Sequence, residues 1–362
     1  MTELEKARRE IDLADKEIAR AFERRMRAAA AVAAYKKENG LPVFDPAREQ
    51  ALIERNGALI PDEALRSYYI RMLKTMMTLS KDYQHLLLEG RRVAYSGVPG
   101  AFAYIAATRI FPDGIPAAYP SFKDAYEAVE SGACDCAVLP IENSFSGDVD
   151  TVIDLTFFGS LYVAGVYDLE IEQNLLGNPG ATRETIRTVT SHPQALSQCA
   201  GYLERRGYET LEAANTAVAA QSVRKSGRSD LGAIASRETA ELYGLEVLEA
   251  KINEASNNTT RFAVFSRAQN KISPEDDQFI LFFTVKNEAG ALGRVISVIG
   301  EKGFNLKTLK SRPTRDSLWE YYFFVEGNGN IYGEKGKELI AAISPVCSGI
   351  RIAGSFKKER KL

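Results

Sequence analysis

The sequence predicts a multidomain protein made of an all-α segment, an α/β segment and a small α+β module. Three changes in residue pattern indicate these divisions. Residues 1–90 carry only helical periodicity, residues 91–270 alternate short β-rich runs with helical stretches, and residues 278–362 repeat that alternation on a smaller scale. A chain of 362 residues is long enough for two or three domains.

The composition is that of a packed globular protein. Apolar residues make up 45% and charged residues 26%, and a net charge of -2 gives no general attraction to nucleic acid or anionic membranes. The N-terminus is charged where a secretory signal would be apolar, and no run of 18 apolar residues occurs. We expect Cys134 and Cys136 to be buried strand residues in a cytoplasmic protein without a metal site or cofactor.

The first segment is predicted to form three helices. One periodic run over residues 4–39 has no internal Gly or Pro and would span roughly 50 Å. After a break at Gly40-Leu41-Pro42, Asp45-Pro46 is typical of an N-cap and a first helical position, and Pro61-Asp62 opens the third helix. Two shorter helices cannot cover so long an apolar stripe, so we expect a partner chain to cover it.

Positive charges lie on the apolar face of the first helix. At 100° per residue, Arg25 and Lys36 fall within the apolar arc of roughly 80°, and Arg8 lies at its edge. In the third helix, Ser80 and Gln84 interrupt a similar stripe. Because buried cations are unfavourable unless an anion meets them, the pattern favours a cavity for a small polyanion. Pairing with the protein's own acids, or extension to the edge of the stripe, is the alternative.

This set of residues resembles the all-helical chorismate mutase domain over the whole first segment. The resemblance implies a site that converts chorismate to prephenate, in an intertwined homodimer where Arg8 enters the partner's site. The arginines would hold the carboxylates, Lys36 and Gln84 would donate to the breaking ether oxygen, and the other polar residues would contact the substrate hydroxyl or orient the donors. The site residues so implied are Arg8, Arg25, Lys36, Asp45, Arg48, Glu49, Ser80 and Gln84.

The middle segment carries four motifs. Asn143-Ser144 follows an apolar strand, at the edge where α/β sheets usually bind ligands. The glycine-rich turn after the first strand lacks the dinucleotide fingerprint and is weak evidence alone. Read by itself, His192 fits a helix cap or a core position as well as a catalytic one. The motifs are GVPGAF at 97–102, PIENS at 140–144, SHPQAL at 191–196 and NTTRF at 258–262.

Together and in this order, the four motifs resemble prephenate dehydratase across the middle segment. The resemblance implies two α/β lobes similar to periplasmic binding proteins, with prephenate in the cleft and Thr260 as the principal catalytic residue. Arg261 would anchor a carboxylate of the substrate or, alternatively, brace a carboxylate of the protein. Ala103 stands where the family usually carries a hydroxyl residue, so one hydrogen bond is in doubt. The remaining implied lining is Asn143, Ser144, Ser191, His192, Thr216 and Thr259.

The last segment has the element order βαββαβ, which suits a ferredoxin-like module. Strands are predicted over 279–285, 306–312, 319–325 and 350–356, and helices over 292–302 and 336–344. The polar residues 271–277 are predicted to form a linker.

This module resembles an ACT domain, which implies feedback inhibition by L-phenylalanine bound between paired modules. Backbone N–H groups at a strand–helix junction would take the carboxylate of the amino acid. Lys310 replaces the acidic residue expected there, so effector affinity or coupling is open, and a dimerisation module without sensing is the alternative. The implied effector residues are Gly290, Ala291, Leu292, Ser311 and Arg312.

We therefore predict a bifunctional enzyme of phenylalanine biosynthesis that converts chorismate to prephenate and prephenate to phenylpyruvate, with loss of water and CO2. A non-catalytic amino-acid sensor is one alternative, and arogenate as the second substrate is another. A dehydrogenase would require a dinucleotide fingerprint after a strand, and the sequence has none.

Overall fold

The computed structural model describes residues 1–145, 147–254, 257–314, 320–358 and 361–362. The chain divides into two compact units, Met1–Arg91 and Arg92–Leu362. Trp319, the predicted first residue of a strand, lies outside the described residues. Within these ranges, no helix has both the length and the apolar character needed to span a membrane.

Three helices form the first unit, as predicted. The first begins with a capping box, in which the side chains of Thr2 and Glu5 each accept a bond from the other's backbone N–H. Asp45 caps the second helix with Pro46 at its first position, and Asp62 caps the third. The helices are α1 (Glu3–Glu38), α2 (Pro46–Gly57) and α3 (Glu63–Glu89).

The N-terminal half of α1 lies in solvent. Contacts with α3 involve the other half of the helix, around Arg25 and the buried Ala33. Leu4 and Ile11 are each 59% exposed and Ile18 is 50% exposed. The predicted apolar stripe is therefore present, and the first unit does not cover its own stripe.

The first sheet of the second unit combines strands from both ends of the α/β segment. Its strands are β1 (Arg92–Ser96), β2 (Ile115–Tyr119), β3 (Cys136–Asn143), β4 (Gly147–Asp148), β5 (Tyr162–Glu170) and β11 (Thr259–Ser266), and its helices are α4 (Phe102–Ile110), α5 (Phe122–Glu130) and α6 (Asp150–Phe158). The order is β2-β1-β3-β11-β5, with β4 paired to β3. Because β11 pairs antiparallel with both β3 and β5, it brings residues 259–266 beside the end of β3. Cys134 and Cys136 are buried, as predicted, but only Cys136 lies in a strand, because Cys134 precedes β3.

A second sheet lies between β5 and β11 in the chain. Its order is β10-β6-β9-β7-β8. The chain thus crosses between the two sheets twice, which confirms the predicted two-lobed α/β architecture. The elements are β6 (Asn174–Gly177), β7 (Thr188–Ser191), α7 (Pro193–Gln198), α8 (Ala200–Arg206), β8 (Glu209–Glu212), α9 (Thr216–Ser226), β9 (Leu231–Ala235), α10 (Arg237–Tyr243) and β10 (Glu246–Glu249).

The third sheet has the predicted βαββαβ order and confirms the ferredoxin-like module. Its strand order is β13-β14-β12-β15. The strand predicted from residue 319 begins at Tyr321 in the described residues. The elements are β12 (Gln278–Thr284), α11 (Ala291–Glu301), β13 (Asn305–Pro313), β14 (Tyr321–Asn328), α12 (Glu334–Ile343) and β15 (Gly349–Phe356).

This third sheet packs directly on the first lobe. Arg351 on β15 donates to the carbonyl oxygens of Thr156 and Gly159 at the end of α6, each at 2.7 Å. Phe157 stacks on Tyr322 of β14 with ring centroids 3.9 Å apart. The residues 271–277 predicted as a linker therefore join two parts that share one hydrophobic core.

Candidate active sites

The first unit contains a cavity of about 240 Å³ lined by α1, α2 and α3. Every residue that the mutase resemblance implies lines it, except Arg8. Arg8 is exposed near the other end of α1 and does not reach the cavity of its own chain. The lining residues are Arg25, Ala28, Ala29, Val32, Lys36, Val43, Asp45, Arg48, Glu49, Leu52, Met77, Ser80, Lys81 and Gln84.

Arg25, Lys36 and Arg48 meet this cavity without a carboxylate partner among the described residues. Arg25 donates to Ser80 Oγ, and Lys36 Nζ donates to Val43 O at 2.6 Å. Burial lowers the pKa of the Arg25 guanidinium, since desolvation penalises the charged form. Neither Arg25 nor Lys36 is therefore paired with an acid in the part of the chain that the structure describes, as one of the two alternatives required.

The acidic residues of the cavity have partners of their own. Asp45 Oδ1 accepts the backbone N–H of Arg48 at 3.0 Å. Glu49 forms an ion pair of 2.9 Å with Lys81, whose Nζ also lies 4.8 Å from the ring centroid of Phe44. Lys81 was not predicted as a lining residue. Because Glu49 neutralises it, the net positive charge of the cavity comes from the other cations.

Gln84 is buried at the cavity wall. Its Nε2 donates to Ser80 O, one turn earlier in α3, at 3.1 Å. Its Oε1 has no hydrogen-bond partner among the described residues. In this orientation Oε1 offers an acceptor, and the second N–H of Nε2 remains to be donated to an ether oxygen, as the resemblance implies.

The second unit has a cleft of about 450 Å³ between its two α/β lobes. Of the residues implied by the dehydratase resemblance, Asn143, His192, Thr216 and Thr260 line it. The full lining is Ser96, Gly97, Ala101, Phe102, Pro120, Phe122, Asn143, Ile171, Gln173, His192, Gln194, Ala195, Gln198, Ala214, Asn215, Thr216 and Thr260.

Thr260 meets Asn143 at the floor of the cleft. The two residues are paired across β11 and β3, and Asn143 Nδ2 donates to Thr260 Oγ1 at 2.8 Å. Since the threonine oxygen accepts this bond, its hydroxyl hydrogen can be donated to a ligand. The strand pairing thus orients the hydroxyl that the resemblance implies as catalytic.

Among the described residues, the cleft lining contains no Lys or Arg. Two helices that are longer than two turns begin at the wall of the cleft. Helix α9 begins at Thr216 under the side-chain cap of Asn215. Helix α4 begins after Ala101, which gives no side-chain cap, so its first N–H groups face the cleft without one. Such helix starts hold carboxylates without formal positive charge. His192 caps the short helix α7 by accepting the N–H of Gln194 at 3.3 Å.

Three other predicted lining residues stand outside the cleft lining. Ser144 Oγ donates to Asn257 O and accepts the backbone N–H of Thr259, which ties the end of β3 to the start of β11. Ser191 is fully buried, and its Oγ donates to Ile234 O at 2.7 Å. These contacts give Ser144, Ser191 and Thr259 supporting positions instead of direct access to a ligand. Ala103 packs in the core under α4, so a hydroxyl at this position would not line the cleft.

Arg261 also lies outside the cleft lining. Its guanidinium forms two bonds, of 2.6 and 2.7 Å, with the buried carboxylate of Glu326 in β14, and a third of 3.1 Å with Glu142. Burial alone would lower the pKa of Arg261, but these two carboxylates raise it above its usual value. Arg261 was predicted to anchor a carboxylate of the substrate, and these bonds do not fit that role. They fit the alternative prediction, in which Arg261 braces a carboxylate of the protein and joins the first lobe to the third sheet.

The residues implied to bind the effector do not form one cluster, and some of their hydrogen-bonding groups already have partners in the protein. Gly290 precedes α11 with φ of +78°, a left-handed conformation that favours glycine. The N–H of Ala291 is already donated to Glu288 O at 3.1 Å. Arg312 donates to both carboxylate oxygens of Asp154 in α6, at 2.6 and 2.9 Å. Its guanidinium is therefore bound to the protein and not available for the predicted contact with an effector. Ser311 is exposed on β13 and Leu292 is partly buried.

Four amide side chains near Thr260 were missed by the sequence reasoning. Gln194 stands inside the SHPQAL motif, and Gln198 follows it by one helical turn, which is a usable signal. Asn258 opens the NTTRF motif, which was also a usable signal. Gln173 lies in the first crossing between the lobes, where no periodic pattern marks the side chains that face a cleft.

Family models match all three segments of the chain. The model for prephenate dehydratase matches residues 93–270, that for chorismate mutase type II residues 7–85, and that for the ACT domain residues 279–341.

Two curated relatives differ in which segments they share. The bifunctional chorismate mutase/prephenate dehydratase of Aquifex aeolicus is 30% identical over 371 residues, a match that covers 99% of each chain. The arogenate dehydratase/prephenate dehydratase 1 of Arabidopsis thaliana is 33% identical over 285 residues, which are 74% of this chain and 72% of the relative. The full-length match is therefore to an enzyme with both activities in one chain.

Solved structures resemble the second unit. GqqA, described as a quorum quenching acylase, gives a TM-score of 0.70 at 30% identity, covering 74% of this chain and 98% of GqqA. The prephenate dehydratase of Arthrobacter aurescens in complex with L-Phe gives 0.68 at 24% identity, covering 74% and 90%, and shows the shared fold. With the full-length match to the Aquifex aeolicus enzyme, the chain belongs to the family of bifunctional chorismate mutase/prephenate dehydratases with an ACT domain.

Proposed function

We propose that the helical cavity rearranges chorismate to prephenate, and that the cleft converts prephenate to phenylpyruvate, water and CO2. The work would be divided among a mutase domain at residues 1–90, a dehydratase domain at 91–270 and a regulatory domain at 278–362. One observation carries the proposal: Arg25, Lys36 and Arg48 surround a cavity with no carboxylate partner among the described residues, as a site for a dianion requires.

In the mutase step no proton or nucleophile is needed, because electron pairs move only within the substrate. Arg25 and Arg48 hold the two carboxylates, which favours the compact conformer. Lys36 stabilises negative charge on the breaking ether oxygen, joined by the second N–H of Gln84 Nε2. Arg8 of the partner subunit adds a further cation. Asp45, Glu49 and Ser80 orient these donors.

In the dehydratase step the ring C–O bond and the bond to one carboxylate break, and the electron pair left by CO2 completes the aromatic ring. The departing hydroxyl takes up one proton and leaves as water. Thr260, held by Asn143, donates to that oxygen as charge develops on it. The starts of α4 and α9 bind carboxylate, while His192 and Thr216 complete the polar wall.

The proposal extends to inhibition by L-phenylalanine and to assembly as a homodimer. L-phenylalanine inhibits the dehydratase by binding near Gly290, where α11 starts without a side-chain cap. Lys310 cannot accept a bond from the effector's ammonium group, so other acceptors must bind it. The exposed stripe on α1 supports a homodimer that covers it, and we place this dimer in the cytoplasm.

Arogenate is a second candidate substrate for the cleft. The Arabidopsis thaliana relative carries both substrates in its name. Arogenate differs from prephenate by an amino group in place of the side-chain ketone. The cleft lining offers amide oxygens that could accept from it.

One assay tests the proposal as a whole. Purified protein is given chorismate, prephenate or arogenate, and all three compounds and phenylpyruvate are followed with and without L-phenylalanine. We expect chorismate to yield phenylpyruvate by way of prephenate, and phenylalanine to slow only the second step. Protein that folds but leaves chorismate and prephenate unchanged would refute both assignments.

A further inference from the structure

A chain of amide side chains along the cleft has a fixed hydrogen-bond direction. It starts at the backbone N–H of Phe145, which donates to Asn143 Oδ1 at 3.0 Å. A backbone N–H can only donate, so the acceptor must be the amide oxygen of Asn143, and its Nδ2 must be the donor to the next groups.

The direction then passes from side chain to side chain. Asn143 Nδ2 donates to Asn258 Oδ1 at 3.1 Å, and Asn258 Nδ2 donates to Gln198 Oε1 at 2.9 Å. Gln198 Oε1 also accepts Gln173 Nε2 at 3.1 Å. Reversing any one amide would place two donors or two acceptors against each other, so the first bond fixes the orientation of all four.

This series of amide side chains ends at a hydrogen-bond acceptor to which no described residue donates, the side-chain oxygen of Gln173. Gln173 is only 2% exposed and lines the cleft, and its Oε1 has no hydrogen-bond partner within the described residues. A buried carbonyl oxygen without a donor is unfavourable, and a ligand that supplies one removes that cost. Gln173 cannot remove this cost by turning its amide over, because its Nε2 must donate to Gln198 Oε1.

We propose that Gln173 Oε1 accepts a hydrogen bond from an O–H or N–H group of the dehydratase substrate. This inference rests on the proposed function of the cleft. Prephenate carries two carboxylates and a ketone, which are acceptors, and its ring hydroxyl is its one donor. Arogenate carries the same hydroxyl and an ammonium group.

The two ends of this series of amides then have complementary roles toward a ligand. Thr260 Oγ1 accepts from Asn143, so its hydrogen is available to the substrate, while Gln173 offers an oxygen. One network thus sets both a donor and an acceptor in the same cleft. A substrate that lacks the matching donor would leave Gln173 buried and unpaired, which makes the residue a determinant of specificity.

The test replaces Gln173 by Met, which keeps the volume and removes the acceptor. Dehydratase kcat/KM should fall about 10- to 100-fold. The mutase rate of the same preparation should stay unchanged. The unfolding temperature should fall only slightly, because the lost oxygen was unpaired and Gln198 Oε1 keeps its bond from Asn258 Nδ2 when the bond from Gln173 Nε2 is lost. A parent protein without dehydratase activity would refute the proposed function, not this inference.

Asn178→Ala is the matched control. Asn178 is a buried amide at the other end of β6 whose Oδ1 also has no partner in the described part of the chain, but it is not among the residues that line the cleft. Its Nδ2 donates to Val223 O and Arg228 O, so the change should lower the unfolding temperature and leave dehydratase kcat/KM within about twofold. An equal loss of kcat/KM in this control would overturn the proposal.

Comparison of substrates identifies the donor. Equal losses with prephenate and arogenate, the latter as substrate or competitive inhibitor, assign the bond to the ring hydroxyl. A loss with arogenate alone assigns it to the ammonium group. Gln173→Met protein with parental kcat/KM for both compounds would contradict the proposal. A loss of kcat/KM accompanied by a large fall in the unfolding temperature would show a merely structural role and overturn the proposal.

Discussion

The helical cavity and the α/β cleft differ in how they attract an anionic substrate. Arg25, Lys36 and Arg48 give the cavity formal positive charge that no carboxylate neutralises among the described residues. The part of the cleft lining that the structure describes has no Lys or Arg, and it presents amides, two threonines and the starts of two helices instead. The cation nearest to Thr260 in sequence, Arg261, is bound by Glu326 and Glu142.

The reactions explain this difference. In the mutase step both carboxylates keep their charge, so fixed cations bind the substrate and the transition state alike while Lys36 acts on the ether oxygen. In the dehydratase step one carboxylate is lost as neutral CO2. A cation paired with that group would stabilise the starting state more than the transition state and slow the reaction. Neutral donors avoid this penalty.

The largest effect should come from Lys36→Met. Removing the cation beside the ether oxygen should lower the mutase kcat about 10³-fold and leave dehydratase activity on added prephenate unchanged. The neighbouring exposed lysine provides the control, since Lys37→Met should keep mutase kcat within about twofold. A Lys36→Met protein that retains a tenth or more of the parental rate would contradict the assignment.

Thr260→Val should give the next largest effect, confined to the other site. The change keeps the shape but removes the hydroxyl held by Asn143, and dehydratase kcat should fall about 10²-fold. Protein supplied with chorismate should then accumulate prephenate. Thr210→Val, on an exposed strand of the other lobe, should convert chorismate to phenylpyruvate at the parental rate. Unimpaired phenylpyruvate formation by Thr260→Val would exclude the hydroxyl from the chemistry.

Glu326→Gln tests whether Arg261 is a brace. The buried carboxylate makes two bonds to the guanidinium, so its loss should lower the free energy of unfolding of the second unit by about 1–3 kcal/mol, measured in urea. Dehydratase KM should change less than about twofold. Glu23→Gln, which removes an exposed partner of Arg27, should leave the urea midpoint in place. A large change in KM with unchanged stability would restore Arg261 as a substrate anchor.

The helical cavity could be predicted from the sequence because one period governs it. Arg25 and Lys36 project from the apolar face of a single helix, and 100° per residue is enough to detect them. The element order of the third sheet was equally readable, with strand and helix ends within a few residues of those observed. In both cases the signal lies within a local stretch of chain.

The cleft depends on residues that no local pattern connects. Asn143 and Asn258 meet because β11 returns beside β3 after 115 residues. The acids that hold Arg261 and Arg312 come from other segments, 65 and 158 residues away, so both arginines looked available for ligands in the sequence. Family resemblance located Thr260, but only the fold showed which neighbours position it.

The dependence of both KM values on salt tests the contrast between the two sites in one protein. Raising potassium chloride from about 0.05 to about 0.5 M shortens the screening length severalfold and weakens attraction between fixed cations and a dianion. We predict that KM for chorismate rises about fivefold or more, while KM for prephenate rises less than about twofold. An equal or larger rise for prephenate would contradict a cleft that binds its substrate without formal positive charge.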